Sequence, residues 1–312
     1  MCAPSARCDG AMEHLISAAQ AARDLGVGSQ GLKHLVRNGQ LGRVRRGIYF
    51  CGPAGGVRDG ARRLILATAP LLGNDSVVSH TSAAIMHGLP VELALCGRVW
   101  TIRCRSRGGP SGVVQASDAR LSADEVVQIE GVRVTCLART VLDLARTRPF
   151  DWGVAVADAA LYRGLTTRAE LSDAARRVSG VPGVVRGRAV VAFADARAES
   201  VGESRSRAIM HQQGLPAPEL QERLYLDGVL IGRSDFLWRD DRTVGEFDGA
   251  LKYGELVPAG RTARDVVMAE KAREQAIRDA GWWIVRWGWR ELADAPALAI
   301  RIRRGFELAP RR

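Results

Sequence analysis

The chain has 312 residues, 46% of them hydrophobic, and a formal net charge of +11 at pH 7. This length predicts two or three folded domains, and the absence of an apolar run of about 18 residues argues against a membrane partner. We expect a soluble, cytoplasmic protein, because the N-terminal stretch also lacks the apolar core of a secretory signal. The six cysteines include no CxxC pair and no close-set His/Cys cluster, which argues against a structural zinc site or a disulfide framework.

The positive charge favours a polyanionic partner, and it is concentrated near the N-terminus. Nine basic and two acidic residues lie between Arg23 and Arg63, a local net charge of +7. This stretch is therefore the first candidate for a nucleic-acid-binding surface.

Residues 12–60 are predicted to form a winged helix-turn-helix domain. Small and apolar residues recur at helical spacing from Ala18 to Leu25, and the following Gly-Val-Gly-Ser run ends this helix and supplies Ser29 as the cap of the next one. Asn38 and Gly39 end the second helix. Residues 40–50 alternate loosely around a turn at Gly47, which predicts a basic two-stranded wing.

The second helix is predicted to have an apolar and a polar face. A helix after such a turn can enter the major groove while wing arginines contact phosphates, so we predict double-stranded DNA as the partner. The alternative is a solvated amphipathic helix and hairpin without a ligand. The predicted DNA-binding residues are Ser29, Gln30, Lys33, His34 and Arg37 on the helix and Arg43, Arg45 and Arg46 in the wing.

The middle region, residues 61–180, is predicted to be an α/β domain. Short apolar segments at 99–104 and 132–137 are typical of strands, and a helical stretch lies between His80 and His87. No carboxylate or cysteine stands at metal-ligand spacing from these histidines, so we expect them to have packing or capping roles. The glycine-rich segment 179–189 is the predicted linker to the last domain.

Three segments in the first 165 residues or so resemble the AbiEi-type antitoxins of type IV toxin-antitoxin systems. They are residues 17–50, SHTSAAIMHGLP at 79–90 and CLARTVLDLAR at 136–146. The resemblance implies a winged helix that represses its own operon and a following domain that neutralises a nucleotidyltransferase-like toxin. It therefore implies a transcriptional autorepressor and antitoxin with such a toxin as its partner.

The C-terminal region, residues 195–300, is predicted to contain a helix around Glu203, a hairpin turning at Asp227 and Gly228, a strand, a helix and a final strand. Asp235 and Glu246 are candidate Mg²⁺ ligands, because this ion prefers carboxylate oxygens and a metal-bound water can attack a phosphodiester. The candidate catalytic residues are Glu203, Asp235, Glu246, Asp248 and Lys252.

This arrangement resembles the PD-(D/E)XK nuclease superfamily, specifically its DUF559 branch related to very-short-patch-repair endonucleases, over residues 200–292. The resemblance implies, as an alternative function, a metal-dependent DNA endonuclease targeted by the winged helix. The chain departs from the superfamily pattern, because Asp248 stands where the pattern has lysine, and Lys252 where related sequences often have histidine. Glu246 and Asp248 could instead pair with Lys252, Lys271 or Arg273 in an inert domain.

The aromatic segment Trp-Trp-Ile-Val-Arg-Trp-Gly-Trp at 282–289 is predicted to be a core strand rather than a base-stacking surface. Alternation places Trp283, Val285, Trp287 and Trp289 on one face. The predicted fold class is therefore mixed α+β (α/β) in three domains. Three functions fit it: a DNA-binding repressor and antitoxin, a DNA-targeted endonuclease, and an interaction scaffold with a dead nuclease fold.

Overall fold

The computed structural model describes residues 14–103, 112–249 and 262–310. Over these ranges the protein has twelve α-helices and three β-sheets, which confirms the predicted mixed α+β class. The chain divides into two compact units, the first ending at Asp143 and the second beginning at Leu144. None of the helices in the described ranges is long and apolar enough to cross a membrane.

The first unit begins with a small module of two helices and a three-stranded antiparallel sheet, ordered β1-β3-β2. The predicted helices and wing are confirmed, and β1 is an additional strand that pairs with β3. The elements are β1 His14–Ser17, α1 Ala18–Leu25, α2 Ser29–Arg37, β2 Gly42–Arg45 and β3 Ile48–Cys51.

The two helices of this module begin in different ways. Ser17 caps α1, since its Oγ accepts a bond from the Gln20 backbone N–H at 3.1 Å. The predicted cap of α2 was wrong by one residue, because Gly28 is the N-cap and Ser29 is the first helical residue. Gly28 provides the extended backbone of a cap without a side-chain bond.

The rest of the first unit is built on a five-stranded sheet ordered β6-β5-β4-β8-β7. The predicted strands at 99–104 and 132–137 and the helix between the two histidines are confirmed, with adjusted ends. The elements are α3 Val57–Thr68, β4 Ser76–Val78, α4 His80–Met86, β5 Val99–Arg103, β6 Val114–Asp118, β7 Val126–Ile129, β8 Val132–Thr135 and α5 Leu137–Thr147, which runs on into the second unit.

Both histidines of this region are held by neighbouring protein groups. His80 is 5% exposed and its Nδ1 lies 2.9 Å from the Ser79 hydroxyl. His87 Nε2 lies 2.8 Å from the Thr135 carbonyl oxygen, and burial lowers the pKa of His87. These contacts agree with the expected packing roles.

The second unit contains a helical layer followed by a four-stranded sheet ordered β12-β11-β10-β9. The strands pair antiparallel except β11 and β12, which are parallel. The elements are α6 Phe150–Tyr162, α7 Arg168–Arg177, α8 Val184–Phe193, α9 Val201–Gln212, β9 Glu219–Leu226, β10 Val229–Trp238, β11 Thr243–Phe247, α10 Ala263–Asp279, β12 Trp283–Trp287, α11 Trp289–Leu292 and α12 Ala295–Leu308. The predicted linker 179–189 is only partly a turn, because α8 begins at Val184.

Strand β12 is a core strand, as predicted. Val285 and Trp287 lie in the larger core cluster with Phe236 and Leu298. Trp282 and Ile284 pack instead against a second cluster around Leu224 and Ile277. Trp289 does not share the strand face as predicted, because β12 ends at Trp287 and Trp289 begins α11 with 42% of its surface exposed.

Helix α9, which contains Glu203, is fixed by buried ionic contacts. Arg207 Nη2 donates to both carboxylate oxygens of Asp158 on α6, at 3.0 and 2.8 Å. The Asp158 side chain is fully buried. Gly202 lies against the Phe247 ring, where a Cβ atom would be 1.9 Å from Cε1. These contacts set the position of Glu203 relative to the sheet.

Candidate nucleic-acid interface and carboxylate site

Helix α2 presents the predicted polar residues together on its exposed side. Leu32 is buried in the module core, with Leu35 and Val36 packed beside it. The residues predicted to contact DNA, namely Ser29, Gln30, Lys33, His34 and Arg37, are all exposed. Their spacing places them on neighbouring turns of one helix, where side chains three and four residues apart adjoin.

The turn before α2 and the last turn of α2 are both locally stabilised. Gly26 has φ of +64°, the left-handed conformation that glycine adopts at helix C-termini, and its N–H donates to the Ala22 carbonyl. At the other end, His34 Nε2 lies 2.8 Å from Asn38 Nδ2. The contact fixes the His34 ring beside the exposed face of α2.

The three wing arginines differ in their environments. Arg43 and Arg46 are exposed. Arg45 is partly buried, and its Nη1 donates to the Thr68 hydroxyl on α3 at 3.1 Å. Arg43 and Arg46 are therefore available to a ligand, whereas Arg45 also joins the wing to α3.

The remaining arginines of the basic stretch make contacts within the first unit. Arg58 Nη2 donates to the Leu89 carbonyl at 2.7 Å, Arg62 forms an ion pair with Glu130, and the Arg63 guanidinium lies 3.5 Å from the centre of the Phe50 ring. Within the described ranges, the cations on α2 and in the β2–β3 hairpin that have no carboxylate partner are Lys33, Arg37, Arg43, Arg45 and Arg46. Arg58 and Arg63 also keep their charge, because their partners are carbonyl oxygens and a ring, but most of the charge that no carboxylate neutralises lies on α2 and the wing.

In the second unit the strand register aligns polar residues across the sheet. Ser234 and Phe236 pair with Glu222 and Leu220, so Asp235 lies opposite Gln221 on β9. Phe236 pairs with Gly245, so Glu246 is the neighbour of Asp235 on β11. Glu246 in turn pairs with Arg286 on β12. We call the row Gln221, Asp235, Glu246 and Arg286 the carboxylate row.

The carboxylate row also contacts the predicted Glu203. Gln221 Nε2 donates to Glu203 Oε2 at 2.8 Å, and Asp235 Oδ2 accepts a bond from the Phe247 backbone N–H at 2.9 Å. Burial, with the adjacent Glu203 and Glu246 carboxylates, raises the pKa of Asp235 to about 7. The structure thus brings together Glu203, Asp235 and Glu246.

Two arginines neutralise Glu246. Arg273 Nη2 on α10 donates to Glu246 Oε1 and Arg286 Nε donates to Oε2, each at 2.8 Å. Glu270 pairs with both arginines, and its hydrogen bond from Arg273 lowers the pKa of Glu270. The network agrees with the alternative in which Glu246 pairs with basic residues.

The other two predicted residues lie beyond strand β11. Asp248 follows the last residue of β11, and its N–H donates to the Trp287 carbonyl at 2.8 Å. Lys252 lies outside the described residues.

The described side chains do not fit a bound Mg²⁺ ion. Within the described ranges, no group of three or more His, Cys, Asp or Glu side chains is placed to hold a metal. Both Glu246 oxygens accept bonds from arginine, and a divalent ion would have to displace these partners. Sequence reasoning missed the roles of Gln221, Arg286 and Glu270, although Arg286 is the one charged residue in the apolar run of β12.

Together these features define a mixed α+β protein with an exposed basic helix in its first unit and an arginine-paired carboxylate row in its second. No family model matches the chain. It is 31% identical over 282 residues to Uncharacterized protein Rv2248 and, equally, to Uncharacterized protein MT2308, from two strains of Mycobacterium tuberculosis. The match covers 90% of this chain and 97% of each relative. The chain belongs to the family of these two mycobacterial proteins.

Proposed function

We propose that this protein binds double-stranded DNA through helix α2 and the wing, and that it regulates transcription. The observation that carries the proposal is the exposed polar face of α2, where Lys33 and Arg37 have no carboxylate partner in the described ranges while Leu32 anchors the opposite face. Lysine and arginine contact phosphates or guanine edges in the major groove, and the wing residues Arg43 and Arg46 add phosphate contacts.

Within this class, we propose an autorepressor and antitoxin of a type IV system. Support comes from the resemblance of residues 17–50, 79–90 and 136–146 to AbiEi-type antitoxins. In this proposal the first unit contacts the operator, and the protein also neutralises a nucleotidyltransferase-like toxin. Co-expression with the product of a neighbouring nucleotidyltransferase gene tests the antitoxin function, which requires that growth arrest by the toxin be relieved.

DNA binding is tested with the full chain and a duplex from upstream of its own gene. Fluorescence anisotropy should show tighter binding to this duplex than to a shuffled duplex of equal length. Lys33→Ala/Arg37→Ala should lose most of this preference, because each lost base contact costs about 1–3 kcal/mol. Arg239→Ala, at an exposed ion pair with Glu219 in the second unit, is the matched control. The proposal would be rejected if the wild type bound both duplexes with equal affinity and the α2 variant did the same.

A metal-dependent endonuclease is the second candidate, favoured by the proximity of Glu203, Asp235 and Glu246 and by the raised pKa of Asp235. It requires that a divalent ion displace Arg273 and Arg286 from the Glu246 oxygens. Carboxylates that repel one another in this way are common at catalytic sites. Plasmid cleavage with Mg²⁺ or Mn²⁺ tests this candidate. Nicking by wild type that is lost in Glu246→Ala would support it, and equal nicking by both proteins, or none by either, would remove it.

A further inference from the structure

The loop between α7 and α8 in the second unit is surrounded by arginines. Arg188 on α8 donates to the carbonyls of Ala175 and Val178, at 3.2 and 3.0 Å. Arg186 donates to the Arg146 carbonyl. Arg146 in turn approaches the Pro182 carbonyl, with Nη1 at 3.4 Å. We call the group Arg146, Arg176, Arg177, Arg186 and Arg188 the arginine patch.

The charge of Arg186 and Arg188 is not neutralised by a carboxylate within the described ranges, although both side chains are exposed. Other arginines of this unit do have an acidic partner, such as Arg205 with Asp151 at 2.7 Å. The segment from Arg163 to Arg188 contains six arginines and two acidic residues. One of these acids, Asp173, pairs with Arg176. Arg186 and Arg188 therefore leave exposed positive charge beside the loop.

The carbonyl contacts hold these guanidinium groups in fixed positions. A guanidinium has five N–H donors, so Arg186 and Arg188 keep donors in reserve after bonding to the backbone. Fixed arginines lose little conformational entropy when they bind, and their planar groups match phosphate oxygens. The patch is thus prepared for an anion with several phosphates.

The composition of the patch favours a nucleic acid over a protein as the partner. The centre of a protein–protein interface is depleted of charge and rich in apolar and aromatic groups, whereas protein–DNA interfaces are strongly positive. Between Ala175 and Arg188, Val185 is the single large apolar side chain that is exposed. The patch has too little apolar surface to form a protein interface of that kind.

We propose that the arginine patch is a second DNA contact, which binds phosphates of the duplex without reading its sequence. The inference rests on the proposed function, because it assigns the same ligand to a second surface. Helix α2 supplies the sequence preference, and the patch adds affinity that falls as salt concentration rises.

The test compares the salt dependence of binding for the full chain and Arg186→Gln/Arg188→Gln. Anisotropy titrations on the upstream duplex and on the shuffled duplex give the slope of log affinity against log salt. The variant should lose about 1.8 from the magnitude of this slope on both duplexes, since each phosphate contact contributes about 0.9. Its preference for the upstream duplex should stay within twofold of wild type. Arg186→Lys/Arg188→Lys should retain the slope, as should Arg239→Gln, which removes an exposed but paired arginine.

Three results would overturn the inference independently of the proposed function. If Arg186→Gln/Arg188→Gln had the same slope as wild type, the patch would not contact phosphate. An equal loss in the Lys variant would assign the effect to loop geometry rather than charge. Competition by polyglutamate that depends on Arg186 and Arg188, without any change of slope on DNA, would identify an acidic protein partner instead. If Lys33→Ala/Arg37→Ala kept the preference for the upstream duplex, the proposed role of α2 would be rejected, while the inference about the arginine patch would be unaffected.

Discussion

Arg286 Nε lies 2.8 Å from Glu246 Oε2, and the two residues are paired neighbours on the parallel strands β12 and β11. The Glu246 side chain is 12% exposed, and Arg273 contacts its other oxygen. A carboxylate in this position requires its cationic partners, because an unpaired charge with little access to water is costly.

We expect Arg286→Gln to destabilise the protein by about 1–3 kcal/mol, because Glu246 would lose one of its two cations. Glu246→Gln in the same background should recover part of this loss, and a double-mutant cycle from urea unfolding measures the coupling. Arg278→Gln, which removes an exposed partner of Glu274, should change stability by less than about 1 kcal/mol. Additive effects of the Arg286 and Glu246 substitutions would contradict the pairing.

Asp235 predicts a pH dependence of stability. Its pKa is raised from the ordinary 3.8 to about 7 in the folded protein, so the folded state binds the proton more tightly than the unfolded state does. The contribution of Asp235 to stability therefore falls as pH rises from about 4 to about 7 and is constant beyond, with a total cost of about 4 kcal/mol at about 1.4 kcal/mol per pKa unit.

Asp235→Asn removes this titration. The variant should be more stable than wild type at pH 8, and the difference should shrink towards pH 4, where Asp235 is protonated in the folded state and close to half protonated in the unfolded state. Urea unfolding at a series of pH values measures the difference. Parallel pH profiles for the two proteins would show that Asp235 does not titrate in this way.

Arg45 and Arg46 are adjacent, yet their substitutions should differ in effect. Arg46→Gln should lower the salt slope of DNA binding by about 0.9 and leave the melting temperature unchanged, because Arg46 is exposed. Arg45→Gln should also lower the free energy of unfolding by about 1 kcal/mol, since it loses the bond to Thr68. Salt titrations and thermal melts of both variants make the comparison. Identical melts would contradict the structural role of Arg45.

Gly202 should not tolerate a methyl group. Gly202→Ala places a Cβ atom 1.9 Å from the Phe247 ring, and overpacking of this kind costs about 1–3 kcal/mol or more. Gly60→Ala is the matched control, because Gly60 lies in α3 and a Cβ atom there would have no atom within 4 Å apart from its chain neighbours and the backbone of its own helix. The control should gain about 0.5–1 kcal/mol from lower backbone entropy. Thermal melts showing equal changes for the two variants would contradict the close approach of Phe247.

Local patterns allowed much of the fold to be predicted from the sequence. The Gly-Val-Gly run predicted the break between α1 and α2, and Asp227-Gly228 predicted the turn of the β9–β10 hairpin, where both residues have positive φ. The alternation of Trp283, Val285 and Trp287 predicted a core strand. Each of these signals lies within about ten residues of the feature it predicts, so no tertiary contact is needed to interpret it.

The features that were not predicted depend on distant contacts. Strand β1 has four residues and forms because it pairs with β3, which lies more than thirty residues later in the chain. Arg286 and Glu246 are 40 positions apart. The chain has more arginines than each carboxylate can pair with. Glu246 could therefore be recognised in the sequence as a candidate acid, but its partner Arg286 could not be predicted.

The backbone N–H of Ala18 donates to the carbonyl of Gly47 at 2.8 Å, which joins the tip of the wing to the first residue of α1. The wing is thereby held to the helices by its turn as well as by its strands. Under the proposed function, the protein surface would already have its binding shape, and most of the conformational change on binding would occur in the DNA duplex. Operator choice would then depend on how easily a base sequence bends or narrows its grooves, even at base pairs that no side chain reaches.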